Sequence, residues 1–459
     1  MFDDHFKINI PIGANYLIRL LKGAGHEACV VGGCVRDSLL NKKPHDWDIC
    51  TSARPEEVCA LMKLNDVRII ETGLRHGTVT ACVGVSNYEI TTFRVDGEYS
   101  DNRRPDRVEF VGDIVEDLAR RDFTINAMAY DEPVEGYGNL TDPWGGYGDL
   151  DKKLIRCVRN PDDRFREDAL RILRALRFAS TYGFKIEEKT AAAIHRNKEL
   201  LRYISAERIQ SELCKLLCGP GALDILLEYR DVMAVIIPEL EPCIGFDQNT
   251  PWHKYTVYDH IAHAVNSYKD DDISIKMALL LHDIGKPECY SEDEYGIGHF
   301  HGHSIPSSRI ARDVMRRLKF DNQTTEEVVQ LVLYHDADIQ PQFRSVRRWL
   351  NKIGPDLLDK LITVRLADIM AQSAVNRVAR IDKCYMTLGT IKEVLDTQQC
   401  FAIKDLAING NDILSLGVEA GPMVGKILHR LLDMVIDETV TNKHDALIEE
   451  GKRYLEEIK

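Results

Sequence analysis

The chain has 459 residues, a net charge of −14 at pH 7, and 44 % hydrophobic and 29 % charged residues. This length predicts roughly two to four domains, and the average globular composition excludes a chain that is mainly disordered. The acidic balance excludes a protein that coats nucleic acid through a generally basic surface, but it leaves room for a local basic cleft.

Short β-like runs in the first third of the chain give way to helical periodicity from about residue 151. The predicted strands are 28–31, 48–50, 78–85, 88–93 and 108–110. The predicted helices are 165–182, 206–217, 274–283, 307–318 and 364–380. We therefore expect an α+β protein, with a small mixed-sheet head followed by an elongated all-α remainder.

Turn clusters at 238–251 and 290–299 and the stretch 382–401 are the candidate boundaries within the helical part. The expected division is a head at 1–150, a second part at 151–238, a third at 239–381 and a tail at 382–459.

No export or membrane signal is expected. The amino terminus, MFDDHFKINIPIG, is acidic where a secretory signal carries positive charge. Apolar stretches are interrupted by charge before the roughly 18 residues that span a bilayer. The twelve cysteines include no CxxC pair, which favours reduced thiols over a disulfide framework or a zinc ribbon. These features predict a cytoplasmic protein without a membrane partner.

A strand that ends in two glycines predicts an anion site near residue 32. In Ala28-Cys-Val-Val-Gly-Gly-Cys-Val-Arg-Asp, backbone N–H groups at the start of the following helix face open space. The run is neither GxGxxG nor GxxxxGK[ST], which weighs against a dinucleotide fold and a P-loop ATPase. A plain strand-to-helix turn is the alternative for an isolated glycine pair.

Two carboxylates, Asp46 and Asp48, stand two residues apart before an apolar pair. On a strand that spacing points both to one face, where their repulsion favours a hard divalent cation such as Mg²⁺. Combined with the glycine turn and Arg36, the pair predicts a site where a triphosphate and two metal ions meet.

The run GG-x-V-R-D followed by D-x-D resembles the head of polymerase-beta-like nucleotidyltransferases, in the class II branch of bacterial CCA-adding enzymes and poly(A) polymerases. Further matching motifs follow in order: Arg120-Arg-Asp-Phe-Thr-Ile-Asn-Ala127, Asp142-Pro-Trp-Gly-Gly146 and Arg166-Glu-Asp-Ala-Leu-Arg-Ile-Leu-Arg-Ala-Leu-Arg-Phe178. The resemblance implies template-independent addition of CCA to the 3′ end of tRNA from CTP and ATP. It also implies catalytic Mg²⁺ ligands at Asp46 and Asp48, and triphosphate contacts from Gly33, Arg36 and Arg121. The second part would be a neck with base-recognition and RNA-binding helices, and the tail would hold tRNA.

A polar stripe, Asp168, Arg171, Arg174 and Arg177, recurs every three residues of a predicted helix. Adenine and cytosine each present an amine donor beside a ring-nitrogen acceptor, which a carboxylate and a guanidinium can match. The resemblance implies that Asp168 and Arg171 read the base and that Arg174 and Arg177 also reach the nucleotide. The alternative is a solvated face whose arginines pair with acids such as Glu167.

Two further stretches bear on the choice among relatives. Residues 71–79, ETGLRHGTV, resemble the CCA-adding type rather than a poly(A) polymerase. Residues 92–105, which include Arg103 and Arg104, resemble the flexible loop needed to switch from CTP to ATP. A poly(A) polymerase and an enzyme that adds only CC stay open as alternatives.

The second half carries imidazoles and carboxylates on separate predicted helices: His260, His282, Asp283, His303, His335 and Asp368. Such ligands suit Mn, Fe, Ni, Co or Zn in an open catalytic site. The set resembles the HD superfamily of metal-dependent phosphohydrolases, which implies an HD domain at 239–381 that acts on phosphate esters such as cyclic 2′,3′-phosphate RNA ends. A rival is a metal phosphohydrolase whose head is an inactive RNA-binding module.

Overall fold

The structure, a computed structural model, describes residues 7–71, 73–74, 77–97, 108–131 and 138–457. Residues 98–105 of the expected flexible loop, together with Thr72, Arg75 and His76 of the preceding motif, lie outside these ranges. The chain divides into two compact units, with the boundary between Pro238 and Glu239. Unit 1 contains a sheet and helices, and unit 2 is helical apart from two short strands in its described part.

Thirteen strands and 21 α-helices are formed by the described residues. The strands are β1 (Ala28–Val31), β2 (Asp48–Thr51), β3 (Arg68–Ile70), β4 (Thr78–Val83), β5 (Ser86–Thr92), β6 (Arg94–Asp96), β7 (Val108–Phe110), β8 (Ala129–Asp131), β9 (Asn139–Thr141), β10 (Leu154–Ile155), β11 (Lys185–Ile186), β12 (Ser291–Glu292) and β13 (Gly298–His299). The helices of unit 1 are α1 (Ile12–Gly23), α2 (Gly33–Leu39), α3 (Pro55–Leu64), α4 (Ile114–Ala119), α5 (Gly146–Asp151), α6 (Pro161–Glu167), α7 (Leu170–Tyr182), α8 (Glu188–Asn197), α9 (Ala206–Leu217), α10 (Ala222–Glu228) and α11 (Arg230–Ile236). Those of unit 2 are α12 (Val257–Ser267), α13 (Ile273–Leu281), α14 (Ser304–Arg317), α15 (Asn322–Tyr334), α16 (Phe343–Ile353), α17 (Pro355–Ala371), α18 (Arg377–Asp396), α19 (Gly410–Leu414), α20 (Pro422–Ile436) and α21 (His444–Glu457).

The main sheet has the strand order β3-β4-β5-β2-β1-β8-β9. Strands β2 and β5 pair in parallel, whereas the other neighbours are antiparallel. Val30, Ile49 and Ile90, which are register partners across the central strands, are at most 1 % exposed, so this face of the sheet is buried. A mixed-sheet head followed by a helical remainder is thus confirmed.

The predicted helix 165–182 is wrong in one respect that matters for the site. Helix α6 ends at Glu167 and helix α7 begins at Leu170. Asp168 between them is extended, with φ −139° and ψ 103°, and its Oδ1 accepts a hydrogen bond from the Leu170 N–H at 3.1 Å. An aspartate that bonds the backbone ahead of it competes with helix continuation. Asp168 therefore does not share a continuous helical stripe with the three arginines.

The predicted helix 364–380 is also wrong, because it is two helices. Helix α17 ends at Ala371, and α18 begins at Arg377 after Asn376, which has a left-handed φ of 49°. The Ser373 N–H donates to the Trp252 carbonyl at 2.9 Å, so a tertiary contact holds the connection. Helix α18 then occupies most of 382–401, which was expected to contain a boundary, and position 381 falls inside it.

Among the described residues, no helix combines the length and the apolar character that crossing a membrane requires. All twelve cysteines are free thiols, and most of them are buried.

A tight contact at Gly146 gives a test of packing in the head. A Cβ on Gly146 would lie 2.2 Å from the Thr124 carbonyl oxygen, which is backbone and cannot rotate away. We expect Gly146→Ala to lower the free energy of unfolding by about 1–3 kcal/mol, measured by urea denaturation. Gly148→Ala in the same helix is the control, because its Cβ would meet open space. Equal denaturation midpoints for the two variants would contradict this packing.

Candidate functional site

The glycine turn between β1 and α2 brings Arg121 close to the backbone. Gly32 has a φ of +79°, and a Cβ at this position would lie 2.8 Å from Arg121 Nη1. Both the left-handed backbone and the close approach require glycine. Gly33 begins α2 directly after this turn.

The predicted carboxylate pair lies at the start of the neighbouring strand. Asp48 is the first residue of β2 and is half-buried, whereas Asp46 is exposed and precedes the strand. Burial, and next the negative charge of Asp46, raise the pKa of Asp48 to about 6. Two carboxylates that repel each other suit a divalent cation, and their hard oxygens are the ligands that Mg²⁺ prefers.

A third carboxylate, Glu89, lies opposite Asp48 in the parallel register of β2 and β5. The adjacent register pair, Ile49 and Ile90, is buried, so the two acids point to the other face of the sheet. Glu89 contributes to the raised pKa of Asp48. The alternation Tyr88-Glu89-Ile90 indicates that Glu89 lies on the polar face of its strand, but only the strand pairing places it beside Asp48.

Arg121 is held beside the carboxylates by a buried acid. Its Nη2 donates to Asp117 Oδ2 at 3.2 Å, and Asp117, which is fully buried, also accepts from Arg120 Nε at 3.0 Å. Burial opposes ionisation of Asp117, but Arg121 and Arg120 lower its pKa below the usual value. The positive charge of Arg121 also partly offsets the rise in the pKa of Asp48. The structure thus brings together three predicted residues: Asp46, Asp48 and Arg121.

Arg36, predicted to bind the triphosphate, is 7 % exposed and lies against α7. Its Nε donates to Asp37 at 2.9 Å, and its Nη1 donates to Asn126 Oδ1. The guanidinium carbon is 5.1 Å and 5.0 Å from the ring centroids of Phe178 and Tyr182. These contacts fix the side chain between α2 and α7.

The two residues predicted to read the base have separate partners. Asp168 Oδ2 accepts from Arg208 Nη2 at 2.8 Å. Arg171 Nη1 donates to Glu167 Oε2 at 2.5 Å, and its Nη2 donates to the Arg120 carbonyl at 3.1 Å. The Arg171–Glu167 pair belongs to the alternative interpretation of this stripe, but Arg171 is 8 % exposed, so the pair does not lie on a solvated face.

The other two arginines of the stripe converge on buried acids. Arg174 Nε donates to Asp122 Oδ2 at 2.8 Å, and Arg177 Nε donates to Glu212 Oε2 at 2.7 Å. Arg174 Nη1 lies 3.8 Å from Glu212 Oε1. Burial disfavours the charge on Asp122, but Arg174 and Asn126 hold its pKa below the usual range. Sequence reasoning did not assign Glu212 or Arg208, which lie on α9, more than 30 residues further along the chain.

In unit 2 the six predicted metal ligands form one buried cluster from five helices. His260 lies on α12 and Asp368 on α17, whereas His282, His303 and His335 flank helix ends. All six are at most 9 % exposed: His260, His282, Asp283, His303, His335 and Asp368.

Asp283 is shared by two sets of donors in this cluster. Its Oδ2 lies 3.2 Å from Nε2 of both His260 and His282. Its Oδ1 lies 3.1 Å from His303 Nε2 and 3.7 Å from His335 Nε2. Each set of three offers ligand atoms that all lie within 4.8 Å of one another. Asp368 Oδ1 is 2.9 Å from His260 Nε2 and joins the first set.

Backbone carbonyls fix the ring orientation of three of these histidines. Nδ1 of His282 lies 2.8 Å from the Leu279 carbonyl oxygen. Nδ1 of His303 lies 2.9 Å from the Phe300 carbonyl oxygen, and Nδ1 of His335 lies 2.7 Å from that of Val332. A carbonyl only accepts, so Nδ1 carries a proton, and Nε2, which faces the cluster, is the nitrogen that would coordinate a metal ion. The donor set therefore has the chemistry of a transition-metal site, and Asp283 is common to both groups of possible ligands.

A cavity of about 490 Å³ opens onto this cluster. Lys286, His301 and Arg380 line it together with four of the predicted ligands, Asp283, His303, His335 and Asp368, and Lys286 Nζ is 2.8 Å from Asp283 Oδ2. Cations beside a metal cluster suit a phosphate-bearing substrate.

Three families match successive parts of the chain. The Poly A polymerase head domain matches residues 28–156, the probable RNA and SrmB-binding site of polymerase A matches 183–244, and a putative tRNA nucleotidyltransferase domain 2 matches 306–450.

Whole-chain relatives and solved structures agree with these matches. The CCA-adding enzyme of Lactobacillus delbrueckii subsp. bulgaricus is 35 % identical over 94 % of this chain and 95 % of its own, and that of Lactobacillus helveticus is 34 % identical over 98 % of each. The crystal structure of the Bacillus stearothermophilus CCA-adding enzyme in complex with CTP is 29 % identical, with a TM-score of 0.71 over 97 % of this chain and 98 % of that one. The chain belongs to the family of CCA-adding enzymes, the class II tRNA nucleotidyltransferases.

Proposed function

We propose that this protein adds the CCA end to the 3′ terminus of tRNA, with CTP and ATP as nucleotide substrates and without a nucleic-acid template. The observation that carries the proposal is the Asp46–Asp48 pair beside Arg121 and the glycine turn, in a chain of this family. The hydrogen bonds of Asp117 with Arg120 and Arg121, and those of Asp122 with Asn126 and Arg174, support an intact head rather than an inactive one.

The proposed chemistry is attack of the tRNA 3′-OH on the α-phosphate of the nucleotide, with release of pyrophosphate. Mg²⁺ held by Asp46 and Asp48 would supply charge stabilisation for the attacking and leaving oxygens. Arg121, anchored by Asp117, would hold the triphosphate at the glycine turn. Arg36 would contribute its charge from the same side of the turn.

Base selection is proposed to rest on Asp168 and Arg171. Asp168 would accept from the exocyclic amine of cytosine or adenine, and Arg171 would donate to the ring nitrogen. Because Arg171 is paired with Glu167 and Asp168 with Arg208, the base would share or replace these partners on binding. Arg174 and Arg177, held by Asp122 and Glu212, would complete the nucleotide site.

The full CCA product is favoured over a poly(A) tail or CC alone because relatives across the whole chain are CCA-adding enzymes. The proposed compartment is the cytoplasm, which the free thiols support.

A second activity is proposed for unit 2: metal-dependent hydrolysis of phosphate esters, including cyclic 2′,3′-phosphates at RNA ends. The two donor sets that share Asp283 support it, as does the cavity with Lys286 and Arg380. Mn, Ni, Co or Fe, held by these imidazoles and carboxylates, would supply an activated water. Lys286 would hold the phosphate.

Incorporation assays test the first proposal. Transcripts of tRNA that lack A, CA or CCA, incubated with labelled CTP and ATP, should each be extended to the CCA end and no further. Asp46→Asn and Asp48→Asn should each reduce CMP and AMP incorporation by at least about 100-fold, as loss of a metal ligand removes several kcal/mol of charge stabilisation. Asp66→Asn, at an exposed turn with a φ of 55° that Asn also adopts, is the control. A long adenylate tail, or near-normal activity of both metal-ligand variants, would contradict the proposal.

The raised pKa of Asp48 predicts an unusual pH dependence of stability without metal. Since the folded-state pKa is about 6 and the ordinary value 3.8, the stability contribution of this group is present below pH 3.8 and is lost as pH rises through 6. In EDTA at pH 7.5, Asp48→Asn should therefore raise the free energy of unfolding by about 1–3 kcal/mol. Mg²⁺ should stabilise the wild type and not the variant. Urea denaturation between pH 4 and 7.5 measures both effects, and a destabilised variant in EDTA would refute the electrostatic account.

The second activity is tested by variants of the shared cluster. His335→Ala should remove at least one bound Mn²⁺ or Ni²⁺ and abolish hydrolysis of a cyclic 2′,3′-nucleotide, while CCA addition continues, because the two ligand sets are separate. His429→Ala, an exposed histidine on α20, is the matched control. Wild-type protein that binds no transition metal and hydrolyses no cyclic or linear phosphate ester would show that the cluster is structural.

A further inference from the structure

A second, smaller cavity in unit 2 shares one wall with the cavity over the metal-ligand cluster. Its volume is about 200 Å³, which corresponds to roughly six or seven water molecules. Its lining includes Arg365, Arg380, Lys383 and Asp338, with Ile362 and Ile369 as an apolar wall. Arg380 also lines the larger cavity.

The charges around the smaller cavity do not balance. Three cations face one carboxylate, and that carboxylate, Asp338, is already paired with Lys383 at 2.5 Å. Arg365 forms a side-chain hydrogen bond with Cys384, which also lines the cavity, whereas its Nη1 is buried and has no hydrogen-bond partner within the part of the chain that the structure describes. A buried guanidinium donor without an acceptor is costly, so this cavity favours an anion that accepts from it.

The size of the cavity and its isoleucine wall indicate which kind of anion it can hold. The space is too small for a nucleotide of the kind that the head binds, but it suits a tetrahedral oxyanion with several acceptor atoms. The isoleucine wall lowers the local dielectric constant, which strengthens the attraction between an anion and the cations. We propose that this cavity is a binding site for inorganic phosphate, or for a phosphate group of similar size, and that its occupant acts on the neighbouring metal cluster.

A chain of hydrogen bonds connects the anion site to a metal ligand. Arg380 Nη1 donates to Gln372 Oε1, and Gln372 Nε2 donates to Asp368 Oδ1 at 2.8 Å. Asp368 is one of the six ligands of the cluster. A guanidinium has five N–H donors, so Arg380 can keep Gln372 while it also binds the anion.

The expected coupling is positive. An anion that orders Arg380 also orders Gln372 and Asp368, and such outer partners of a ligand affect metal affinity by roughly 10–100-fold. The opposite charges of anion and metal ion act in the same direction. Phosphate should therefore tighten metal binding, and metal should tighten phosphate binding by the same factor. This coupling rests on the proposed metal centre, whereas the anion site itself does not.

Phosphate titration by calorimetry tests the site. The full-length protein is kept in EDTA at constant ionic strength so that phosphate cannot bind through a metal ion. Arg365→Met and Lys383→Met should each lose one bound phosphate or weaken it at least about 10-fold. Arg453→Met, an exposed arginine on α21 that pairs with Glu450, should match the wild type. Thermal unfolding checks that the variants are folded. Equal phosphate binding by all four proteins would overturn the site.

Mn²⁺ titration tests the coupling. The titration uses the Asp46→Asn, Asp48→Asn double variant, so that the head contributes no Mn²⁺ site, and follows free Mn²⁺ by electron paramagnetic resonance. Phosphate should tighten Mn²⁺ binding by at least about 5-fold, and the effect should vanish with Arg365→Met or Gln372→Leu added. An equal Mn²⁺ affinity with and without phosphate would overturn the coupling. A protein that binds no Mn²⁺ would refute both the coupling and the proposed metal centre, while the phosphate titration still decides the anion site.

Discussion

Asp122, a buried carboxylate, connects the parts of unit 1 that are proposed to hold a nucleotide. It accepts hydrogen bonds from Arg174 of α7 and from Asn126, whose own Oδ1 accepts from Arg36. An ionised carboxylate away from water costs several kcal/mol unless it is paired. Asp122 therefore fixes Arg174 directly and Arg36 through Asn126. Asp117 likewise fixes Arg121, so the residues proposed to bind the triphosphate and to read the base are each held by a buried carboxylate.

The same requirement shapes unit 2 in a different way. Asp283 and Asp368 are buried among imidazoles, and burial would neutralise them if the surrounding cations and imidazoles did not hold their pKa values well below the usual range. Three carbonyls that fix histidine Nδ1 turn each Nε2 toward these acids. Unit 1 pairs carboxylates with guanidiniums and leaves Asp46 and Asp48 for a hard cation, whereas unit 2 offers mixed N and O ligands. The two centres thus suit different metals.

The local sequence was sufficient for several elements and for the residue types proposed for both centres. Strands β1 and β7 and helix α9 lie where they were predicted, because the spacing of apolar residues within each segment is enough to indicate them. The breaks at Asp168 and at 372–376 were not visible in this way. Helical periodicity continues across both breaks. The first helix ends where the Asp168 carboxylate accepts from the backbone ahead of it, and the second ends where the Ser373 N–H donates to a distant carbonyl.

Motif and spacing by themselves determined that Asp46 and Asp48 stand as a pair and that His282 and Asp283 offer two adjacent candidate ligands, since each pair is encoded by residues close in the chain. Only the tertiary structure decided what surrounds them. Strand register places Glu89 opposite Asp48, and helix packing pairs Arg177 with Glu212 across 35 residues. Such partners are chosen by long-range packing and by the cost of burying an unpaired charge, and neither leaves a local signal in the sequence.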